Sequence, residues 1–171
     1  MPGAGGSQPG SQDPATAFTV RRVPVETTRA LRQAVLRPNQ TIGPMALPGD
    51  DDPATAGFAA IDPGGDLLSV ARLTLEPPPF PSQDLVPPDA PAWRLRGMAT
   101  RPEARNQGVG SAVLQGCIAH VGSQGGGLLW CNARVPAIGL YRRAGFITYG
   151  DEWVDPEIGP HIVMWRTVAG T

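Results

Sequence analysis

Residues 101–114 read Arg-Pro-Glu-Ala-Arg-Asn-Gln-Gly-Val-Gly-Ser-Ala-Val-Leu, and the sequence of residue types in this stretch decides the fold. Trp93 to Thr100, just before it, has strand character and is stopped by Pro102. Beyond the loop, Val109, Val113 and Cys117 recur four apart, and Ala112, Leu114, Ile118 and Val121 widen the same face, which predicts a helix from Gln107 to Val121. A strand that turns through a glycine-containing loop directly into a helix leaves free backbone N–H groups at the helix start. Together with the helix dipole these favour an anion, and Gly108 and Gly110 lack the Cβ that would hold a bulky phosphate away. Arg105 adds a charge-assisted contact. No lysine and hydroxyl follow in the register of a nucleotide triphosphatase loop, and the third glycine of a dinucleotide fingerprint is replaced by Val113. Tight packing of helix on strand would use the same two glycines.

Working outward, Phe18 to Val23 alternates weakly and predicts an edge strand. Thr27 or Thr28 caps a helix running to Leu36, with Leu31, Ala34 and Val35 on its apolar face, Arg29, Arg32 and Gln33 on its wet side, and Pro38 as its stop. Residues 43–54 read as a flexible loop. Phe58 to Asp62 and Leu67 to Leu75 flank the turn Asp62-Pro63-Gly64-Gly65-Asp66 as an antiparallel hairpin. Glu76 to Pro91 contains seven prolines, so it is neither helix nor central strand, and it reads equally as a binding loop or a surface spacer. Leu128 to Asn132 is a short strand, Pro136 opens a helix that Gly145 closes, and Phe146 to Val154 and His161 to Val168 are strands around a turn at 156–160. Strands interleaved with a few helices predict an α/β or α+β fold, a mixed sheet covered by helices.

Composition narrows the function classes. Apolar residues are 41% and charged residues 17% of 171, the balance of a globular chain with a core. A formal net charge of -1 gives no recruitment of nucleic acid or of an anionic membrane. Residues 1–16 read as a disordered tail ahead of one domain at 17–171, and neither a presequence nor a bilayer-length apolar run is visible, so a cytoplasmic location is the expectation. Cys117 and Cys131 sit in apolar segments as free thiols rather than as a disulfide framework. His120 and His161 have no tight cluster of cysteines and acids around them, so no metal site is expected.

Arg105-Asn106-Gln107-Gly108-Val109-Gly110 resembles the central motif of the GCN5-related N-acetyltransferase (GNAT) superfamily, and Met98-Ala99-Thr100-Arg101-Pro102 resembles the strand end that leads into it. Leu129-Trp130-Cys131-Asn132 and Ala137 to Phe146 resemble the family's later strand and its tyrosine-to-Gly-Phe segment, so the likeness spans residues 57 to 168. The resemblance implies a mixed, mostly antiparallel sheet of six or seven strands flanked by about four helices, with two strands splayed to admit acetyl-CoA. It implies that Met98 and Thr100 offer backbone groups to the pantetheine arm. Backbone amides of Arg105, Asn106, Gln107, Gly108, Val109, Gly110 and Ser111 hold the pyrophosphate, and Asn132 reaches the thioester end. It implies Tyr141 as the proton donor to the departing thiolate, in direct transfer from acetyl-CoA to an amine with no covalent enzyme intermediate.

The base is less determined. Glu76, Asp84, Asp89, Glu152 and His161 are all candidates, and the ordinary pKa of histidine favours His161. Arg94 and Arg96 share one face of a strand and suit an acidic substrate group, Trp93 and Trp153 are candidates to line an acceptor pocket, and loop 76–91 is expected to select the acceptor. The expected partner is a small-molecule amine, with a homodimer compatible. A coenzyme A-binding sensor or scaffold with little turnover, a fold that has lost its ligand, and a protein N-acetyltransferase stand as alternatives.

Overall fold

The computed structural model describes residues 17–39 and 46–171; the proposed tail at 1–16 and residues 43–45 of the proposed loop lie outside them. The chain runs β1 (Thr19–Val23), α1 (Arg29–Leu36), β2 (Ala56–Ile61), β3 (Leu67–Leu75), β4 (Ala92–Thr100), α2 (Val109–Ser123), β5 (Gly126–Arg134), α3 (Ile138–Arg143), β6 (Ile147–Asp155) and β7 (Gly159–Ala169). Short 3-10 turns precede each helix. The seven strands form one sheet in the order β1-β2-β3-β4-β5-β7-β6. Every neighbouring pair is antiparallel except β4 and β5. The fold is therefore a mixed α/β sheet, mostly antiparallel. Among the described residues no helix is long and apolar enough to cross a membrane.

Local chemistry accounts for the elements. The β2–β3 turn is closed by the Asp62 side chain, whose Oδ1 accepts the Asp66 amide at 2.9 Å, with Gly65 in the left-handed region. On α2, Val109, Val113, Leu114, Cys117 and Val121 form the buried stripe. Each such aliphatic side chain contributes roughly 1.5–3 kcal/mol on burial. That stripe packs with Leu73, Trp93, Leu95, Leu129, Cys131, Tyr141 and Met164 on one face of the sheet. On the opposite face, Leu31 of α1 covers Ala59, Ile61, Val70 and Ala99.

The structure corrects several expectations on the α1 side. Thr28 does not cap α1 with its side chain, because its hydroxyl donates to Val25 O at 2.7 Å within the preceding 3-10 turn. Arg32 is not on a wet face: it is 0% exposed, while Ala34 takes the solvent side. Between residues 46 and 54 the chain is anchored by Asp50, which binds Arg29 at 3.0 Å and the wholly buried Arg72 at 2.5 Å. Loop 76–91 is anchored as well. Phe80 is buried against Leu128, Trp130 and Val163 and stacks on Tyr149 at 4.4 Å between ring centroids.

Strand β4 carries one further feature. Val70 and Arg72 of β3 stand opposite Ala99 and Arg96, so three steps on β4 match two on β3. This bulge includes Gly97 at φ +63, where a Cβ would lie 2.6 Å from Arg32 Nε. Glycine here lets the strand bend and lets Arg32 cross directly over it.

Candidate active site

Two devices of the backbone create the site. The first is the divergence of β4 and β5. Their parallel pairing covers only Ala92 to Leu95 against Leu128 to Cys131, yet β4 continues to Thr100 and β5 to Arg134. Past that point β4 has no strand partner on the β5 side, and backbone groups there are available to a ligand lying between the strands. The second is the loop that follows β4. Asn106 at φ +60 and Gly108 at φ +77 interrupt the chain twice before α2 begins, which is why the helix starts at Val109 rather than at Gln107. Left-handed residues at alternating positions are a backbone pattern that can present successive amides to an anion, and no side chain caps the N-terminus of α2.

The predicted phosphate residues divide by role. Arg105, Asn106, Gln107 and Gly108 are exposed, and a Cβ at Gly108 would meet nothing within 4 Å, so the backbone there is open to approach. Gln107 turns its side chain back to Glu103 O at 2.9 Å. The Val109 side chain is buried in the core, which leaves only its amide for the loop. Gly110 follows the packing explanation instead: its missing Cβ would lie 3.0 Å from Thr100 Oγ1, which is itself held by Ser69 Oγ at 2.9 Å. Ser111 lies half-buried in the first turn of α2.

At the divergence of the strands lies a cavity of about 320 Å³. Met98, Asn132, Tyr141, His161, Arg94, Arg96 and Trp153 all line it, so seven of the candidate site residues singled out in the sequence meet there. Trp93 does not. It is buried on the α2 face, edge-on to His120 with ring centroids 5.7 Å apart, because alternation along β4 turns positions 93 and 95 toward α2 and positions 94 and 96 toward α1. Trp153 does line the cavity. Loop 76–91 contributes no lining residue; its tie to the site is Glu76, which pairs with Arg94 at 2.7 Å. The loop, which was expected to select the acceptor, therefore does not line this cavity.

Tyr141 and His161 approach the cavity from opposite faces of the sheet. Tyr141 rises from α3 on the α2 side and is buried in the same cluster as Cys131. Burial and the neighbouring cysteines push its hydroxyl well above its ordinary pKa, so it stays protonated near neutrality and can donate. Burial pushes the Cys131 thiol up to about 12, which leaves it neutral and a poor nucleophile. His161 stacks on Trp153 with ring centroids 5.6 Å apart, and its Nδ1 lies 2.7 Å from Gly159 O. A carbonyl can only accept, so Nδ1 carries the proton and Nε2 of the neutral ring is left as an acceptor. Of the candidate bases named in the sequence, His161 alone lines the cavity. Asp155, not anticipated, lines it too, but the amides of Glu157 and Ile158 occupy its Oδ1 at 2.9 and 3.1 Å and help hold it below its ordinary value, which makes it a weak base.

Arginine dominates the remaining lining. Arg32 and Arg37 from the α1 segment and Arg134 from β5 join Arg94 and Arg96. The reading of the sequence missed these three. Two signals pointed to them: a glycine inside a strand marks a close approach, as at Gly97, and alternation continued past Asn132 puts Arg134 on the same face. Among the described residues no group of three or more His, Cys, Asp or Glu could hold a metal ion.

Comparison with known proteins bears on the same region. Residues 24–146 match the Acetyltransferase (GNAT) family. An uncharacterized N-acetyltransferase, YitI, of Bacillus subtilis (strain 168) is 33% identical over 150 residues, covering 87% of this chain and 95% of the relative. Among solved structures, a histone acetyltransferase HPA2 and related acetyltransferase from Corynebacterium glutamicum ATCC 13032 superposes with a TM-score of 0.62 at 22% identity, over 90% of this chain and 98% of that one. A GNAT superfamily phosphinothricin acetyltransferase from Sinorhizobium meliloti, in complex with AcCoA, gives 0.60 at 18% identity over 90% of each chain. At these identities the structural likenesses establish the fold.

Proposed function

This chain belongs to the acetyltransferase (GNAT) family, and from that premise we propose that it transfers an acetyl group from acetyl-CoA to the amine of a small-molecule acceptor by direct attack on the thioester. One observation carries the reading. The divergence of β4 and β5 joins an anion cradle after Thr100 to a cavity that holds a proton donor and a proton acceptor. The residues present fit coenzyme A: the uncapped start of α2 and the open side of Gly108 suit a pyrophosphate, and the unpaired edge of β4 suits an amide-bearing arm.

In the proposed reaction acetyl-CoA supplies an activated acyl group. His161 Nε2 takes the proton that an ammonium must lose before its nitrogen can attack. The new C–N bond forms as the C–S bond breaks, and Tyr141 gives its proton to the departing sulfur. Asn132 and the β4 backbone at the bulge orient the thioester. The Trp153 and Ile158 side chains form the β6–β7 end of the cavity. A cavity of about 320 Å³ is near the lower limit for small-molecule sites, which favours a compact acceptor over a polypeptide segment.

The test is thiol release from acetyl-CoA across a panel of primary amines, with product identified by mass. Turnover that needs both substrates and yields an N-acetyl product is expected. Tight binding of acetyl-CoA with no product from any amine would replace the enzyme reading with a coenzyme A-binding one.

A further inference from the structure

Resting on the acyl-transfer reading above, we propose that the acceptor is a small amine that also carries a compact oxyanion, a carboxylate or a phosphonate, and that Arg96 and Arg134 hold this group while His161 faces the amine. Five arginines line the cavity against one carboxylate, Asp155, whose Oδ1 is already taken by two backbone amides. The chain as a whole is slightly acidic, so this concentration of one sign is local.

The five are not equivalent. Arg94 is committed to Glu76 and lies over the Trp130 ring at 4.7 Å. Arg37 pairs at the rim with Glu157 at 3.1 Å. Arg32 crosses the β4 bulge and donates to Thr28 Oγ1 at 3.2 Å. Arg134 spends one donor on Leu36 O at 3.1 Å and keeps others. Arg96 makes no hydrogen bond or ion pair among the described residues, although it is half-buried and has Arg72 opposite it on β3. Burial and the charges of Arg94, Arg72 and Arg37 all disfavour its cation. The carboxylate of Glu76 favours the cation in part, but Glu76 is paired with Arg94 and does not touch Arg96. A guanidinium held among like charges with no direct ion-pair partner is costly, and a bound oxyanion would reduce that cost through a two-pronged contact.

Register supplies the second part. Arg134 of β5 and His161 of β7 are directly opposite each other in the antiparallel ladder, and their side chains rise from the same face into the cavity. An oxyanion on the guanidinium therefore leaves an amine a few bonds away beside the imidazole. The arginines are separate from the coenzyme's proposed cradle, since no residue from 101 to 111 lines this cavity.

Initial rates with saturating acetyl-CoA are to be compared for amino acids, the matching amino acid amides, aminoalkylphosphonates and linear diamines. The acid or the phosphonate should exceed the amide in kcat/KM by at least about tenfold, the loss expected when a charge-assisted contact is removed. The better of those two arms identifies the oxyanion. Arg96→Ala should lower the acid-to-amide ratio at least about tenfold through KM, and Arg96→Lys should restore part of it, which also guards against a variant that fails to fold. Amides or diamines preferred over acids would overturn the proposal, as would Arg96→Ala weakening coenzyme A binding instead. Should no amine turn over, titration calorimetry with coenzyme A present still reads the site. Binding of an acid but not its amide, lost in Arg96→Ala, would keep the oxyanion site while removing acyl transfer, and absence of acid binding would overturn the site as well.

Discussion

The anion cradle at 105–110 and the arginine cavity between β4 and β5 are both suited to negative groups, but they are built in opposite ways. The cradle is one continuous loop, made of backbone amides with two left-handed residues to aim them. The cavity is assembled from side chains of α1, β4, β5, α3, β6, the β6–β7 turn and β7. A backbone site tolerates changes to its side chains and fails when its dihedrals change. A side-chain site behaves the other way. On the proposed function the contrast separates donor from acceptor: the proposed donor side is written locally, and the proposed acceptor side depends on how distant segments meet.

Where the two regions join, the largest effect is expected. Tyr141→Phe should lower kcat about 10²–10³-fold, the usual contribution of a general acid, with the KM of both substrates nearly unchanged. A variant with full kcat would mean that the thiolate leaves without this donor. Next comes the support behind the arginines. Asp50→Asn strips a buried counter-ion from Arg72 and Arg29 and should cost about 3 kcal/mol in urea unfolding.

The same group gives a pH signature. Burial pushes the Asp50 carboxyl up, but the Leu47 amide and the Arg29 and Arg72 side chains outweigh it and hold it below its ordinary 3.8. A folded value below the unfolded one means that the stabilisation is complete above the unfolded value and is lost as pH falls through the folded one. Wild-type stability should therefore fall on acidification below that ordinary value, and Asp50→Asn should show a shallower fall.

A smaller change should come from the cradle. Gly108→Val forces a β-branched residue to φ +77. At a strain of about 1–3 kcal/mol it should weaken acetyl-CoA binding in calorimetry about tenfold. The acid-to-amide preference of the cavity should survive that change; its loss would mean that the two regions are one. The smallest effect is assigned to Cys131→Ala. With its thiol neutral, kcat should stay within about threefold of wild type, because no covalent step uses it.

Much of this was legible in the residues. The strand–loop–helix around Gly108 follows from local order: a strand run, Pro102, two glycines and then a four-residue apolar repeat. The hairpin at Asp62 to Asp66 and the helix bounded by Pro136 and Gly145 were readable for the same reason, since each is set by residues within a few positions. The acceptor side was not. Arg32 looked like the solvent face of a short amphipathic helix, and only the bulge at Gly97, 65 positions later, makes room to bury it. Trp93 looked exposed to the cleft because its loop-side position was visible and the direction of its strand face was not. Loop 76–91 looked like a recognition loop from its prolines, yet Phe80 fastens it to Tyr149, a partner 69 positions away. Non-local pairings of this kind leave no periodicity to read.

The most direct test of the whole account is a crystal structure with coenzyme A and an amino acid bound. The account predicts phosphate oxygens on the amides between 105 and 110, the thiol end passing between Met98 and Asn132 toward Tyr141, and the amino acid carboxylate on Arg96 and Arg134. Phosphates of the coenzyme lying on Arg96 and Arg134, with the cradle vacant, would contradict it.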